Sequence, residues 1–356
     1  MKAIKAKKVM VIVLASILAI VLIAGVFLSV LPAFMGDKQP IAGAQKGLYV
    51  NGNKIAEPNI MTLDGEEVDF DTFRYYYLGM YNAALKQDPK FFDKEENVKQ
   101  FKTAIEDSLK SGYLITKLLK DNNITASKEI EDYVDAGIAE AAKSYKTPAE
   151  FEAAIQSAYM TKDLFRNLQI EDALQPELMM AMVSDEASLK KDVLRAKHVL
   201  VQFDEAPAAD SDEAKTFDEA AMKAEKLKKA QDIADRAKKG EDFDALIKEA
   251  NDDPGMASNP DGYYFVEGNM VDEFYKGTKE LEIDATSEPI ETSYGYHVML
   301  RLEPDEKVLT KAKLIDLVST SQIYNEKFQT IIQPMFDAVK VEYGKDYENV
   351  NIDNLK

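Results

Sequence analysis

Histidine is the side chain whose proton moves closest to neutral pH, and this chain of 356 residues has two of them, His198 and His297. Both sit in β-rich runs. His198 alternates with Ala196 and Leu200, and His297 with Met299 and Arg301. One strand histidine is more often a satisfied structural residue than a reactive one, but two on separate strands can share a hydrogen-bonded site. Cysteine is absent, which removes disulfides, thiolate nucleophiles and thiolate metal ligands. Two imidazoles in all make a multi-histidine metal centre an unexpected outcome, and no cofactor is expected. The remaining candidates lie between the histidines. Asp252 and Asp253 precede Pro254-Gly255, where aspartate is in any case a favoured turn residue. Phe265 ends a short aromatic run, and Met270 and Phe274 stand four apart, the spacing of one helix face.

These residues need elements to hold them. The run 195–203 reads as a strand, being rich in Val, Leu and Phe. An acidic, Pro/Ala-containing loop follows over 204–215. Thr216 and Glu219 have the spacing of a capping box, opening a long helix through Lys239 that stops at Gly240. A shorter helix over about 242–250 puts Phe243, Leu246, Ile247 and Ala250 on one face. The stretch 251–262 is crowded with Asp, Asn, Pro and Gly and reads as loop. A short strand at 263–266, a helical turn at 271–280, and a turn at 292–295 into a strand over 296–302 complete the order. Strand, helices, strand, helix and paired strands describe a compact α+β domain, bounded at 191–304.

The residues Arg195-Ala-Lys-His198-Val-Leu-Val and Ser293-Tyr-Gly-Tyr-His297-Val-Met resemble the two signature ends of the parvulin family of peptidyl-prolyl isomerases. Between them, Asp253-Pro-Gly and the aromatic strand ending in Phe265 look like the family's central loop. Met270-Val-Asp-Glu-Phe274 matches its substrate-pocket pair. The resemblance covers about 195–303 with four motifs in order. It implies a four-stranded antiparallel sheet with surrounding helices. It also implies an isomerase site in which His198, His297 and an acid form a hydrogen-bond network beside the substrate carbonyl, while Phe265, Met270 and Phe274 take the proline ring. Asp253 is the favoured acid, and the spacing leaves Asp252 open. Such a reaction breaks no covalent bond. It rotates an X–Pro amide over a barrier of about 18–20 kcal/mol, so neither nucleophile nor metal is needed. One departure concerns the outer wall: Asn259-Pro-Asp-Gly-Tyr-Tyr-Phe265 stands where the family has Gly-Gly-Asp-Leu-Gly-x-Phe. The acidic loop after the first strand predicts no preference for phosphorylated residues before proline.

The flanks read differently. Four lysines (Lys2, Lys5, Lys7 and Lys8) precede an apolar run over 9–31, long enough as a helix to cross a bilayer. The lysine flank predicts that end inside and the rest outside. Residues 1–36 are therefore expected to be a membrane anchor; a cleaved signal segment, with Ala42-Gly-Ala as the small-residue site, would leave the protein secreted. Residues 49–190 follow a helical period after a short extended segment with an Asn-Gly turn. Phe73, Tyr77 and Tyr81 form a stripe that is expected to be helix core, and Thr147-Pro-Ala-Glu150 opens a helix over 148–170. Residues 305–356 are expected to return as a C-terminal helical segment packing on the N-terminal domain. The layout, an isomerase domain inserted in a mostly helical chaperone-like domain, resembles the PrsA-type extracytoplasmic foldases.

Net charge is −19, with the basic N-terminus leaving −23 for the remainder. Such a surface repels phosphate backbones and argues against nucleic acid as a partner. The expected partners are unfolded or newly exported polypeptides with X–Pro bonds; a homodimer is left open. Two functions compete with the active foldase: a non-catalytic holdase retaining the parvulin fold as a binding module, and a structural surface protein.

Overall fold

The computed structural model describes residues 46–206 and 217–355. The expected membrane segment and the centre of the acidic loop lie outside these residues; among the described residues no helix is long and apolar enough to cross a membrane. The described residues divide into two compact units, one running to 178 and resuming at 332, the other lying between 179 and 331.

The first unit opens with a hairpin, β1 (Leu48–Val50) and β2 (Asn53–Ile55). Asn51 and Gly52 turn it with φ of 51° and 79°, the left-handed pair that a two-residue hairpin demands. Next, β3 (Met61–Leu63) pairs with β4 (Glu66–Glu67) on one side. On its other side lies a strand far along the chain, Val341–Tyr343, in the register Met61↔Tyr343 and Leu63↔Val341. The core gathers Leu48, Ile60, Met61, Leu63, Phe73, Leu78, Phe101, Ile105, Leu109, Val339 and Leu355.

The helix Phe70–Gln87 is started by Asp69, whose carboxylate accepts from Thr72 N, one of the orphan amides at a helix start. Its aromatic stripe packs inward: Phe73 is buried, Tyr77 meets Phe101 edge-on at 5.1 Å, and Tyr81 stacks on Phe92 at 4.3 Å. Thr147 caps the helix Pro148–Ser157 as its spacing predicts. The expected run to 170 is broken, however, and a second helix begins at Lys162. Tyr159 adopts φ 63° at the break. Arg74 Nη1 donates to its carbonyl at 3.0 Å, and Asn82 Nδ2 to its hydroxyl at 2.7 Å. These partners come from a distant helix, which is why the local period gave no sign of the break.

The second unit is built on an antiparallel sheet. Its strands are β5 (Leu194–Gln202), β6 (Tyr263–Phe265), β7 (Ile290–Glu291) and β8 (Gly295–Leu302), in the order β6-β5-β8-β7. Alternation along β5 and β8 makes two faces. Val199, Val201, Tyr296 and Val298 pack beneath the helices Glu219–Lys238 and Phe243–Ala250 through Ala230, Ile233, Phe243 and Leu246. The opposite face carries Leu194, Ala196 and Met299 against Phe265, Phe274 and Tyr275; Phe274 and Tyr275 come from the helix Asp272–Glu280.

Two expectations are corrected here. The helix starting at Glu219 is capped by Asp218, which accepts from Ala221 N at 3.0 Å. Aspartate is at least as good a cap as threonine, and placed at 218 it makes Glu219 a first-turn acid instead of a capping-box partner. The segment 305–356 does not go whole to the helical unit. The helix Lys311–Ser319 and the start of Gln322–Ala338 belong to the second unit. They are tied there by Asn269 Nδ2 to the Leu317 carbonyl at 2.9 Å, and by Ser321 Oγ to the Glu267 carbonyl at 2.5 Å. Only 332–356 joins the first unit.

Candidate active site

Strand register decides whether the histidines meet. In β5–β8, His198 lies opposite Met299 and Leu200 opposite His297. The two imidazoles are thus diagonal neighbours on one face, within reach across a twisted antiparallel pair. Their Nδ1 atoms are 2.9 Å apart and the rings nearly parallel, at 9°. Each residue is 5 % exposed. His198 Nε2 reaches Asp253 Oδ2 at 2.8 Å, and His297 Nε2 reaches Thr292 Oγ1 at 2.9 Å. Asp253 is further held by the Gly255 amide, which donates to Oδ1 at 2.8 Å, and by the Tyr263 hydroxyl, which donates to Oδ2 at 2.9 Å.

Asp252, one residue away, points elsewhere and accepts from Gln202 N at 2.9 Å. The choice between the two acids is made by Asn251, whose Oδ1 accepts from Leu200 N at 2.8 Å and whose Nδ2 donates to the Asp253 carbonyl at 2.7 Å. These bonds lock the loop to β5 in one phase.

Burial disfavours charge on both imidazoles. The His198 pKa is lowered by burial, against the opposing pull of Asp253. His297 is pushed down to about 4 by burial and by the neighbouring His198, again against Asp253. Burial alone would raise the Asp253 carboxyl. The bonds from His198, Gly255 and Tyr263 outweigh it and hold the group below its ordinary value.

With both imidazoles neutral and Asp253 ionised, one proton assignment satisfies every contact. Thr292 donates to His297 Nε2, His297 Nδ1–H to His198 Nδ1, and His198 Nε2–H to the carboxylate. Every donor in the chain points toward Asp253. The hydrogens of Thr292 and both imidazoles are then all used within the array, which forms a polar wall of aligned bonds.

The apolar residues lie against this wall. Phe274 meets His198 at 5.2 Å and His297 at 5.4 Å, both edge-on, and Phe265 at 5.5 Å. Phe265 and Phe274 are buried at 0 % and 3 % exposure, whereas Met270 and Tyr263 are half-buried. The structure therefore brings together all six residues singled out in the sequence, with the two phenylalanines as a floor and Met270 at the rim. Among the described residues no group of three or more His, Asp or Glu side chains could hold a metal ion.

Residues 198–303 match the family of PPIC-type peptidyl-prolyl isomerase (rotamase) domains. The matched segment holds both histidines and Asp253. Sequence relatives extend the likeness beyond it. The foldase protein PrsA of a Geobacillus strain is 34% identical over 128 residues, 35% of this chain and 46% of that protein. PrsA of Caldanaerobacter subterraneus is 26% identical over 331 residues, 88% of this chain and 90% of that protein. The chain thus spans about half the length of the first and nearly all of the second. Among solved structures, PrsA of Bacillus cereus aligns with 72% of this chain and 92% of its own at 21% identity, with a TM-score of 0.37.

Two residues of this cluster escaped the sequence reading. Thr292 was seen as a turn residue, and its place five before His297 was the available signal. Tyr263 was seen as a strand residue, in a position where the family pattern has glycine.

Proposed function

We propose that this chain is a peptidyl-prolyl cis–trans isomerase and foldase acting on exported, unfolded polypeptides outside the cytoplasmic membrane. The basic flank and apolar run of its first 31 residues support a single-pass anchor. The observation that carries the isomerase reading is the 2.9 Å contact between the chain's two imidazoles, coupled to Asp253 and laid on Phe274.

In this reading Met270, Phe274 and Phe265 receive the pyrrolidine ring in an apolar setting that excludes water. A planar amide is the more polar form, stabilised by conjugation; taking it from water favours the twisted form in which that conjugation is lost. His198, His297 and Asp253 fix the potential beside the carbonyl during rotation. Neutral imidazoles and a shared carboxylate suit that role, since no proton need leave the substrate. Uncatalysed isomerisation takes tens to hundreds of seconds, so folding of exported chains is where such an activity would be felt.

The test is isomerisation of an X–Pro peptide by the purified chain, compared with His198→Ala and Asp253→Ala variants whose folding is checked by circular dichroism. Loss of rate in folded variants supports the assignment. An inactive wild type that still suppresses aggregation of unfolded protein would replace it with the holdase reading.

A further inference from the structure

Tyr263 stands at the start of β6, opposite Ala196 in β5, and this register places its ring on the imidazole face. The approach is close. Gly262, at φ +95°, lets the chain turn into β6 where any Cβ would lie 2.9 Å from the Ala196 carbonyl oxygen. The ring then meets His198 edge-on at 5.8 Å, and its hydroxyl ends on Asp253 Oδ2, the oxygen that also takes His198 Nε2. Space for that hydroxyl exists because residue 255 has no side chain; a Cβ there would collide with it. Asn259 completes the seat, its Nδ2 donating to the Gly255 carbonyl at 2.9 Å while its side chain also bonds the phenol.

We propose that Tyr263 is a positioning residue of the isomerase site. Its donated hydroxyl clamps Asp253 so that His198 is held in the Nε2–H form, and with it the direction of the whole Asp253–His198–His297–Thr292 chain. The proposal rests on the isomerase reading and deepens it. A carboxylate oxygen with two donors has its lone pairs assigned, whereas one donor leaves a lone pair open to water. The titratable groups that face Asp253 are His198 from β5, His297 beyond it from β8, and Tyr263 from β6. Of these, Tyr263 donates without being able to accept a proton at neutral pH, so it favours the ionised carboxylate at every pH of interest.

The alternative is that Tyr263 merely walls the site, and Tyr263→Phe separates the two because it keeps the ring and removes the hydroxyl. The experiment records kcat/KM against pH for the full chain and for Tyr263→Phe and Gly255→Ala, together with spectra of protein labelled with 15N only in histidine, where two rings give all the signals. The expected result for Tyr263→Phe is an acid limb moved up by about one pH unit, the size expected for one hydrogen bond to a charged group partly replaced by water. The drop at neutral pH should fall in kcat, with KM little changed. The His198 nitrogens should lose their pure Nε2–H signature. Gly255→Ala should reproduce the shift with the phenol still present. Profiles and imidazole spectra of Tyr263→Phe that superimpose on the wild type would overturn the proposal. A wild type without isomerase activity would remove the catalytic reading, yet the histidine spectra would still decide whether Tyr263 sets the state of His198.

Discussion

Replacing Asp253 by asparagine should reverse the polarity of the entire histidine chain. The Gly255 amide is a fixed donor, 2.8 Å from Oδ1, so the amide oxygen of the variant must face it. That places the NH2 group where Oδ2 now stands, 2.8 Å from His198 Nε2 and 2.9 Å from the Tyr263 hydroxyl. Two donors cannot face each other there. His198 escapes by moving its proton to Nδ1. His297 must then accept at Nδ1 and donate from Nε2 to Thr292, whose hydroxyl turns to the Gly295 carbonyl at 3.3 Å. The half-buried Tyr263 hydroxyl gives up its acceptor and turns its proton away, so the cost is the loss of that charge-assisted bond and the exchange of the His198 one for a neutral bond. At about 1 kcal/mol for each of the two bonds on Oδ2, the loss is about 2 kcal/mol. Asp253 lies below the ordinary carboxylate pKa; its stabilisation is full above that ordinary value and fades as pH falls through the lower folded one. The difference between wild type and variant should therefore be complete at pH 7 and shrink toward pH 3. Urea melts at several pH values give the energy, and histidine-selective 15N spectra give the tautomers. A variant in which His198 keeps its Nε2 proton would refute the reasoning, whatever the stability.

Other outcomes follow from the same geometry. His297, held near 4 when folded, should make the protein acid-labile. The unfolded chain binds its proton near 6.5, so stability is full above that pH and is lost as pH falls from there toward 4, which thermal melts across that window should register. Thr292→Val removes the donor to the buried His297 Nε2 and should cost about 1–3 kcal/mol in a denaturant titration. Phe274→Ala empties the floor under both imidazoles and should cost about 3–5 kcal/mol. Met270→Ala, at the rim, should change stability far less and act mainly by raising KM for X–Pro peptides.

What the sequence disclosed follows from how local each signal was. His198 and His297 were legible because a strand displays every second residue on one face, and the runs around both histidines alternate. Met270 and Phe274 were legible as a helical pair. The choice between Asp252 and Asp253 was not, because both fit the turn chemistry and the decision is made by Asn251 bonds to β5. Tyr263 was hidden for a related reason: its hydroxyl matters through Gly255 and Asp253, contacts that strand periodicity does not encode. The break at Tyr159 depends on Arg74 and Asn82, some eighty residues back. The helix Gln322–Ala338 looked uniform in period, yet the boundary between units falls inside it, since a helical repeat shows that a face is apolar and not what that face meets.

The strand pairing of β3 with residues 341–343 bears on the order in which this protein can be assembled. The first unit cannot complete its small sheet, nor the Tyr49 amide its bond to the Asn354 carbonyl or the Asn59 amide its bond to Asp346, until synthesis has passed through the whole intervening second unit. Residues 179–331 form a continuous stretch with no such wait. Once folded, that stretch links Tyr324 to Asp192 across 132 residues of sequence, roughly halving the loop that remains to be closed. Halving a loop saves only about 0.6 kcal/mol, so the effect is one of timing more than of energy. On a chain emerging from its N-terminal end, the unit that carries the two histidines is ready before the segments that surround it in sequence.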